Sequence, residues 1–326
     1  MIFSQLIEKE YLFQVYQLNQ ANYIPEGMYL FNTNQYLQNQ LQNTIFSFSL
    51  QSMRLKHSEC LLHVSIKDTL AVSPVKATFG GIEIHQGLPD SLLDLFIQHV
   101  DQFLCSQNIH QVKLTNYPFA YNLSAAQKIT AALLRNGYTI DNSEVNYHIP
   151  VTNEPLEKRM HYSEKRRLRK CVQSGMIFKE EKSPDLSKIH TFIHQARIRK
   201  GFPMTLTLET FRNLFMQMPN VYRVFVAIYR DELAALTVTV RINKDILYNF
   251  YPADNEYFLN YSPSVFITSE VYKIAQQEGY KMVDLGIATD QSVPNYGLMR
   301  FKSNLGAENS LRLSFCKRFN DNATSL

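Results

Sequence analysis

Two stretches in the first third of the chain commit it to a sheet. Phe46, Phe48 and Leu50 alternate with Ser47, Ser49 and Gln51, and Leu62, Val64 and Ile66 alternate with His63, Ser65 and Lys67. A period of two sends successive side chains to opposite faces, so these are half-buried strands that need hydrogen-bonded neighbours. The segment before them, with Leu6, Ile7, Tyr11, Val15 and Leu18 at helical spacing, reads as an amphipathic helix. After Gly80-Gly81 the pattern predicts a helix over 89–105, a strand at Val112–Thr115, a Ser124-capped helix ending at Asn136-Gly137, and a strand closing at Pro150.

The second half repeats this plan. A basic helix capped by Ser163 and stopped by Gly175 comes first, then a helix begun at Ser183-Pro184 and another capped by Thr207. A meander of three strands follows, Val221–Tyr229, Leu233–Ile242 and Ile246–Tyr251, with polar turns between them. Ser262-Pro263 opens a helix with Ile267, Val271, Ile274 and Ala275 on one face, and Gly279 ends it. A strand at Lys281–Gly286, a short helix around Pro294–Asn304 and a last strand near Leu311–Phe315 complete the series. Each half thus has a meander, a Pro-led helix and a short strand, Val112-Lys113-Leu114 against Val283-Asp284-Leu285. That is a duplicated α/β layered unit with mixed, mostly antiparallel sheets flanked by helices.

At 326 residues the chain has room for two domains, expected at 1–152 and 153–326. With 45% hydrophobic and 19% charged residues it is neither disordered nor fibrous. Cys60, Cys105, Cys171 and Cys316 are widely spaced and form no CxxC pair, which fits a reducing compartment and carries no metal or disulfide signal. The opening MIFSQLIEKEYLF places Glu8, Lys9 and Glu10 where a secretory signal would be apolar. No apolar run approaches the roughly 20 residues of a membrane span. The expectation is a cytoplasmic protein without a transmembrane segment.

Charge is concentrated. The formal net charge is +4, yet between Lys158 and Lys170 seven lysines and arginines face a single Glu164, so the remainder of the chain is net acidic. Lys165, Arg166, Arg167, Arg169 and Lys170 on that helix are candidates for phosphate or nucleic-acid contact, because their fields add within a Debye length of about 8–10 Å. A solvated helix face is the alternative. No GxGxxG, GxxxxGK[ST] or GxSxG is written anywhere, which excludes the usual dinucleotide and P-loop cradles and the nucleophile elbow. His190 and His194 have metal-ligand spacing on a helix, but the HExxH glutamate and a third ligand are missing, so no metal site is expected.

The informative block is YSPSVFITSEVYKIAQQEGYKMVDLGIATDQSVPNYGLMRFKSNLGAE. Asp284 and Gly286 stand at the C-terminal end of a strand, where side chains and loops converge in open α/β sheets, and Asn295, Tyr296, Arg300, Phe301 and Lys302 follow on a helix. A D-x-G strand end followed by R-F-K-x-x-x-G resembles the Fem family of aminoacyl transferases, and more widely the two-domain members of the GNAT-like superfamily. The likeness covers most of the chain. It is sharpest over 261–306, moderate at the Ser163–Gly175 helix and at Arg199-Lys200-Gly201-Phe202, and faint over FGGIEIHQGLPDSLLDLF in the first half.

The resemblance implies two tandem GNAT-like domains, the second holding the active site, and acyl or aminoacyl transfer to an amine. An amine attacking an ester or thioester carbonyl turns its oxygen negative, and a cation or N–H donors in a dry cleft stabilise it. Phe301 and Lys302 match the Phe-Lys pair that lies at the catalytic or acceptor-phosphate site of Fem-type enzymes. A surface lysine near a helix C-terminus is the alternative for Lys302. Tyr296 stands on the helix whose tyrosine protonates the leaving group in many GNAT enzymes, with core packing as its other reading. Arg199 and Lys200 are candidate phosphate or carboxylate clamps, or else ordinary helix C-terminal charges. Asp254 is a candidate base for the amine, though turn aspartates are common. Tyr251, Asp284 and Asn295 are candidate substrate-binding residues.

Two departures bear on the donor. The [QR]xxGx[GA] loop that holds the CoA diphosphate in ordinary acetyltransferases is missing, since no glycine lies between Tyr251 and Pro263. The long coiled-coil arm of some Fem proteins is also absent. The donors implied are aminoacyl-tRNA or acyl-CoA, and no further cofactor follows. The acceptor implied is a small-molecule or precursor amine, on a cell-envelope or nucleotide-linked compound. An acyl-CoA-dependent N-acetyltransferase and a catalytically silent double-GNAT scaffold are the alternatives, and nothing in the sequence sets the oligomeric state.

Overall fold

The computed structural model describes all residues except 8–9, 21–23, 41–43, 55–56, 203, 205 and 320–326. It divides into two compact units, residues 1–145 with 310–326, and residues 146–309. It is a mixed α/β structure with mostly antiparallel strands.

The first unit opens with a hairpin, β1 (Phe3–Ile7) and β2 (Tyr11–Gln17), where helical spacing suggested a helix. Ile7 pairs with Tyr11 across the hairpin and Val15 lies four residues further along β2, so the run falls on one face of a hairpin as it would on one face of a helix, and the pattern alone does not separate them. The short α1 (Asn34–Gln38) precedes β3 (Thr44–Ser52) and β4 (Ser58–Lys67), the two alternating stretches. Then come β5 (Leu70–Ser73), β6 (Glu83–Ile84), α2 (Asp90–Ser106), β7 (Gln111–Thr115) and α3 (Leu123–Arg135). Asn122 rather than Ser124 caps α3, its side chain accepting from Ala125 N–H. β8 (Thr139–Pro150) crosses the boundary between the units.

Phe13, Phe48 and Phe96 interlock on one face of β2 and β3, with Phe103 of α2 set edge-on against Phe46 and Phe48. The strands are buried on both faces rather than one. Ser47, Ser49 and His63 are as hidden as their apolar neighbours, and Leu18, Ile24, Leu37, Ile45 and Val75 form a second cluster. Serine at these positions fills close space with little volume, and burial holds His63 neutral by lowering its pKa to about 4. Under this second layer, buried Glu83 accepts hydrogen bonds from Asn32 Nδ2 and from the N–H groups of Met28 and Tyr29.

The second unit comprises α4 (Tyr162–Gln173), β9 (Ile177–Glu181), α5 (Leu186–Arg199), α6 (Leu208–Gln217), β10 (Tyr222–Tyr229), β11 (Glu232–Arg241), β12 (Ile246–Asp254), α7 (Pro263–Gln277) and β13 (Met282–Ile287). The small pair β14 (Thr289–Asp290) and β15 (Val293–Pro294) leads into α8 (Tyr296–Asn304). Its sheet runs β8-β13-β12-β11-β10-β9. The expected caps shift by two residues, from Ser163 to His161 for α4 and from Ser183 to Asp185 for α5. α4 buries Glu164, Leu168 and Cys171 at i, i+4 and i+7 and turns Arg166 and Arg169 outward.

The last strand, β16 (Glu308–Arg318), departs from the expected boundary. Ser314–Arg318 pair antiparallel with Gln111–Thr115, so the C-terminal segment completes the first unit's sheet. Burial of the phenylalanine cluster dominates that unit's core. Phe48→Ala, at a fully buried ring, should cost about 3–5 kcal/mol in chemical denaturation, and a loss under 1 kcal/mol would contradict this packing.

Candidate active site

The site begins where two parallel strands part. β12 and β13 pair from Ile246↔Met282 to Tyr248↔Asp284 and no further. Beyond that point Asn249, Pro252, Ala253 and Asp254 of β12, and Leu285 of β13, line a cavity of about 680 Å³ closed by the N-terminal turns of α7 and by α8. A smaller hollow of about 250 Å³ lies between α4 and α8 and shares Arg167, Gly297 and Phe301 with it.

The strand end is shaped by the D-x-G sequence. Asp284 Oδ1 accepts from Gly286 N–H at 2.7 Å and from Asn146 Nδ2 at 2.8 Å, fixing a register break between Asp284 and Gly286. Gly286 sits at φ +72°, and a Cβ there would meet the Tyr248 ring at 3.2–3.3 Å. Only glycine takes this backbone without strain. The bend presents two carbonyls, of Gly286 and Ile287, to Lys302 Nζ at 2.8 Å each.

Lys302 is therefore neither a surface charge nor sealed from the cavity. It is only 6% exposed, it lines the larger cavity, and its ammonium lies 5.8 Å from the Tyr147 ring. Burial lowers its pKa to about 7, against the partial support of the Asp284 charge. Phe301 lines both cavities beside it. Asn295 lines the larger one and caps α8 by accepting from Leu298 N–H at 2.9 Å.

Asp254, Arg199 and Lys200, far apart in sequence, form one cluster. Asp254 is buried and accepts from Arg199 Nη2 at 2.5 Å, Lys200 Nζ at 3.0 Å and Ser264 Oγ at 3.0 Å. The Asp254 carboxylate is engaged by two cations and a hydroxyl, so it does not stand free in the way expected of a base for the amine. Lys200 and Asp254 line the larger cavity, and Arg199 supports it through Asp254.

Other expected residues lie elsewhere. Tyr296, expected as a proton donor, is 77% exposed and lines neither cavity, because Asn295 caps α8 and leaves Tyr296 at its open first position. Tyr251 is buried, its ring facing the Arg197 guanidinium at 5.5 Å, and does not line the cavity. Asp284 is 2% exposed and shapes the strand end instead of contacting the cavity. On the basic helix, Arg167 reaches the cavity while paired at 2.8 Å with buried Glu164. Lys170 donates to the Asn260 carbonyl at 2.8 Å over the Tyr261 ring. Arg166 and Arg169 are exposed, and Lys165 is half-buried. Sequence reading missed Glu164, Ser264 and the Gly286 and Ile287 carbonyls. Only the left-handed glycine of D-x-G signals any of these from sequence.

The loop before α7 takes a tight, glycine-free form. Residues Glu256–Tyr261 form a 3₁₀ turn, Ser262 is left-handed at φ +56°, and Pro263 occupies the first position of α7.

Residues 158–303 match the acetyltransferase (GNAT) domain family. No curated protein matches the chain in sequence at a significant level. Among solved structures it is similar to FemX, at TM-score 0.67 and 12% identity over 89% of this chain and 92% of that one. It is similar to a tandem GNAT protein from the clavulanic acid biosynthesis pathway, at TM-score 0.53 and 11% identity over 95% and 98%. It is also similar to L-PGS from Bacillus licheniformis, at TM-score 0.53 and 11% identity over 81% and 82%. Residues 158–303 thus match the GNAT domain family, and the chain shares its fold with FemX and with the tandem GNAT protein.

Two outcomes follow from this geometry. Gly286→Ala should destabilise the chain by about 1–2 kcal/mol, from the positive φ alone, and a neutral effect in urea denaturation would contradict the bend. The second concerns pH. Below about 7 the folded and unfolded chains both protonate Lys302, and burying that charge costs stability. Between about 7 and the ordinary lysine value of 10.5 only the unfolded chain holds the proton, so the cost fades as pH rises. The stability of the wild type relative to Lys302→Met should climb from pH 7 to 10, and a flat difference across that window would refute the lowered pKa.

Proposed function

We propose that the second unit transfers an acyl or aminoacyl group to an amine, with Lys302 managing charge at the reacting carbonyl. The observation that carries this reading is the buried amine on the cavity wall, held by two carbonyls and titrating near 7. An N–H donor kept out of water stabilises an oxyanion far better than one in solvent. A group that gains and loses its proton near neutral pH also suits reactions in which the attacking amine sheds a proton and the leaving oxygen takes one. In this reading Lys302 takes the donor role expected of Tyr296.

Arg167 and Lys200 on the cavity wall are suited to a phosphate of the donor or of a nucleotide-linked or cell-envelope precursor. Without glycines before α7, backbone N–H groups have no open loop in which to wrap a CoA diphosphate, which favours an aminoacyl ester such as aminoacyl-tRNA. The outward Arg166 and Arg169, with Lys165 and Lys170 beside them, would track its phosphates. The likeness to FemX and to L-PGS supports this reading. The GNAT domain match and the likeness to the tandem GNAT protein favour the second reading, an acyl-CoA donor. The free cysteines, two buried and two half-buried, suit a cytoplasmic setting. Among the described residues no helix is long and apolar enough to cross a membrane.

Aminoacyl-tRNA and acyl-CoA should be offered to the purified chain with a panel of amine precursors. Transfer from aminoacyl-tRNA is expected, falling about 10²–10³-fold in kcat in Lys302→Met while the fold is kept. Transfer from acyl-CoA alone would replace the first reading with the second. A fully active Lys302→Met would remove the lysine from the chemistry, whereas no transfer with any donor and no ligand binding altered by the substitution would leave only a scaffold.

A further inference from the structure

We propose that the first unit holds a divalent transition-metal site made by His57, Glu59 and His85, of a chemistry that suits Zn²⁺. His57 immediately precedes β4, and Glu59 lies two residues on, at the bulge where β4 steps from Cys60↔Leu50 to Ser58↔Gln51. β6 pairs antiparallel with β4 through Cys60↔Ile84, and one step further His85 N–H donates to the Glu59 carbonyl at 2.8 Å. His85 is thus the cross-strand neighbour of Glu59. The bulge in β4 and the β4–β6 pairing together bring His57, Glu59 and His85 to adjacent positions.

The atoms meet at ligand spacing. His57 Nε2 lies 3.0 Å from one Glu59 oxygen and His85 Nδ1 lies 3.6 Å from the other, with the imidazole centroids 4.7 Å apart. One donor atom from each residue falls within 4.8 Å of the other two. Zinc bonds of about 2.0–2.2 Å separate tetrahedral ligands by about 3.4 Å, so modest side-chain rotation closes the set. His57 Nε2 is itself buried and, despite its nearness to the carboxylate, makes no hydrogen bond. A buried carboxylate facing two imidazoles, one with an unpartnered nitrogen, is the donor set of a cation site rather than of a hydrogen-bonded pair.

Imidazole and carboxylate ligands favour zinc among common divalent ions, and three protein ligands leave a fourth position for water. Cys60 is not that fourth ligand. It is the next residue along β4, it is buried, and its sulfur is not among the donor atoms that meet there. The helical pair His190 and His194 is a weaker candidate, since its rings are 6.3 Å apart and His190 Nε2 is engaged with the Leu206 carbonyl at 3.0 Å. A metal at the first site would tie β4 to β6.

The test is calorimetric titration of the metal-stripped full chain with zinc sulfate, with circular dichroism as the fold control. One saturable site is expected, weakened about tenfold or more in His57→Ala, His85→Ala and Glu59→Gln, and unchanged in the double variant His190→Ala/His194→Ala. Should Glu59→Gln fail to fold, the two partly exposed histidines decide the matter. Absence of a saturable site, equal affinity in the histidine variants, or loss confined to the His190/His194 variant would overturn the proposal.

Discussion

The second unit depends on how a lysine amine is kept out of water. Burying an ammonium costs several kcal/mol unless polar groups replace its hydration. Here the replacements are the Gly286 and Ile287 carbonyls, which reach Lys302 because the strand bends at a left-handed glycine. Asp284 fixes that bend through the Gly286 N–H and supplies the compensating charge. The two strands part at the same point, so the cavity, the bend and the amine have a common structural origin. D-x-G and F-K read as separate motifs, but they are two halves of one device.

The polar end of the cavity follows a different logic. Arg199 and Lys200 do not stand free as clamps, and Asp254 does not stand free as a base. Each restrains the others, and Ser264 at the start of α7 joins them. The result is a preorganised wall whose excess charge is positive, since Arg167 and Lys200 reach the cavity and Asp254 is the acid opposing them there among the described residues. Such a wall suits an anionic substrate without requiring any residue to change its protonation state.

Much of this was legible in the sequence. The meander, the Pro-led helix and the D-x-G strand appear where alternation, caps and glycine placed them. The opening hairpin did not, because its apolar run fits one face of a hairpin as well as one face of a helix and the turn between β1 and β2 has no glycine to betray it. Ser47, Ser49 and His63 read as solvent-facing because side-chain polarity says nothing about a second covering layer. Lys302 was visible through its motif. The Asp254 cluster was not, since partners 54 and 55 residues apart meet only through tertiary packing, and the same holds for Glu59 with His85.

The return of β16 to the first unit has a consequence for how the chain is made. On a ribosome, β1 to β7 emerge long before the segment that pairs with β7 has been translated. Throughout synthesis of the whole second unit, Gln111–Thr115 therefore present a bare strand edge, the kind of surface on which nascent chains associate. The unit written later has its own strands in hand once Asn309 is out, and it can close while its predecessor still waits. Order of birth and order of completion are thus reversed, and Ser314–Arg318 act as the keystone of the earlier part.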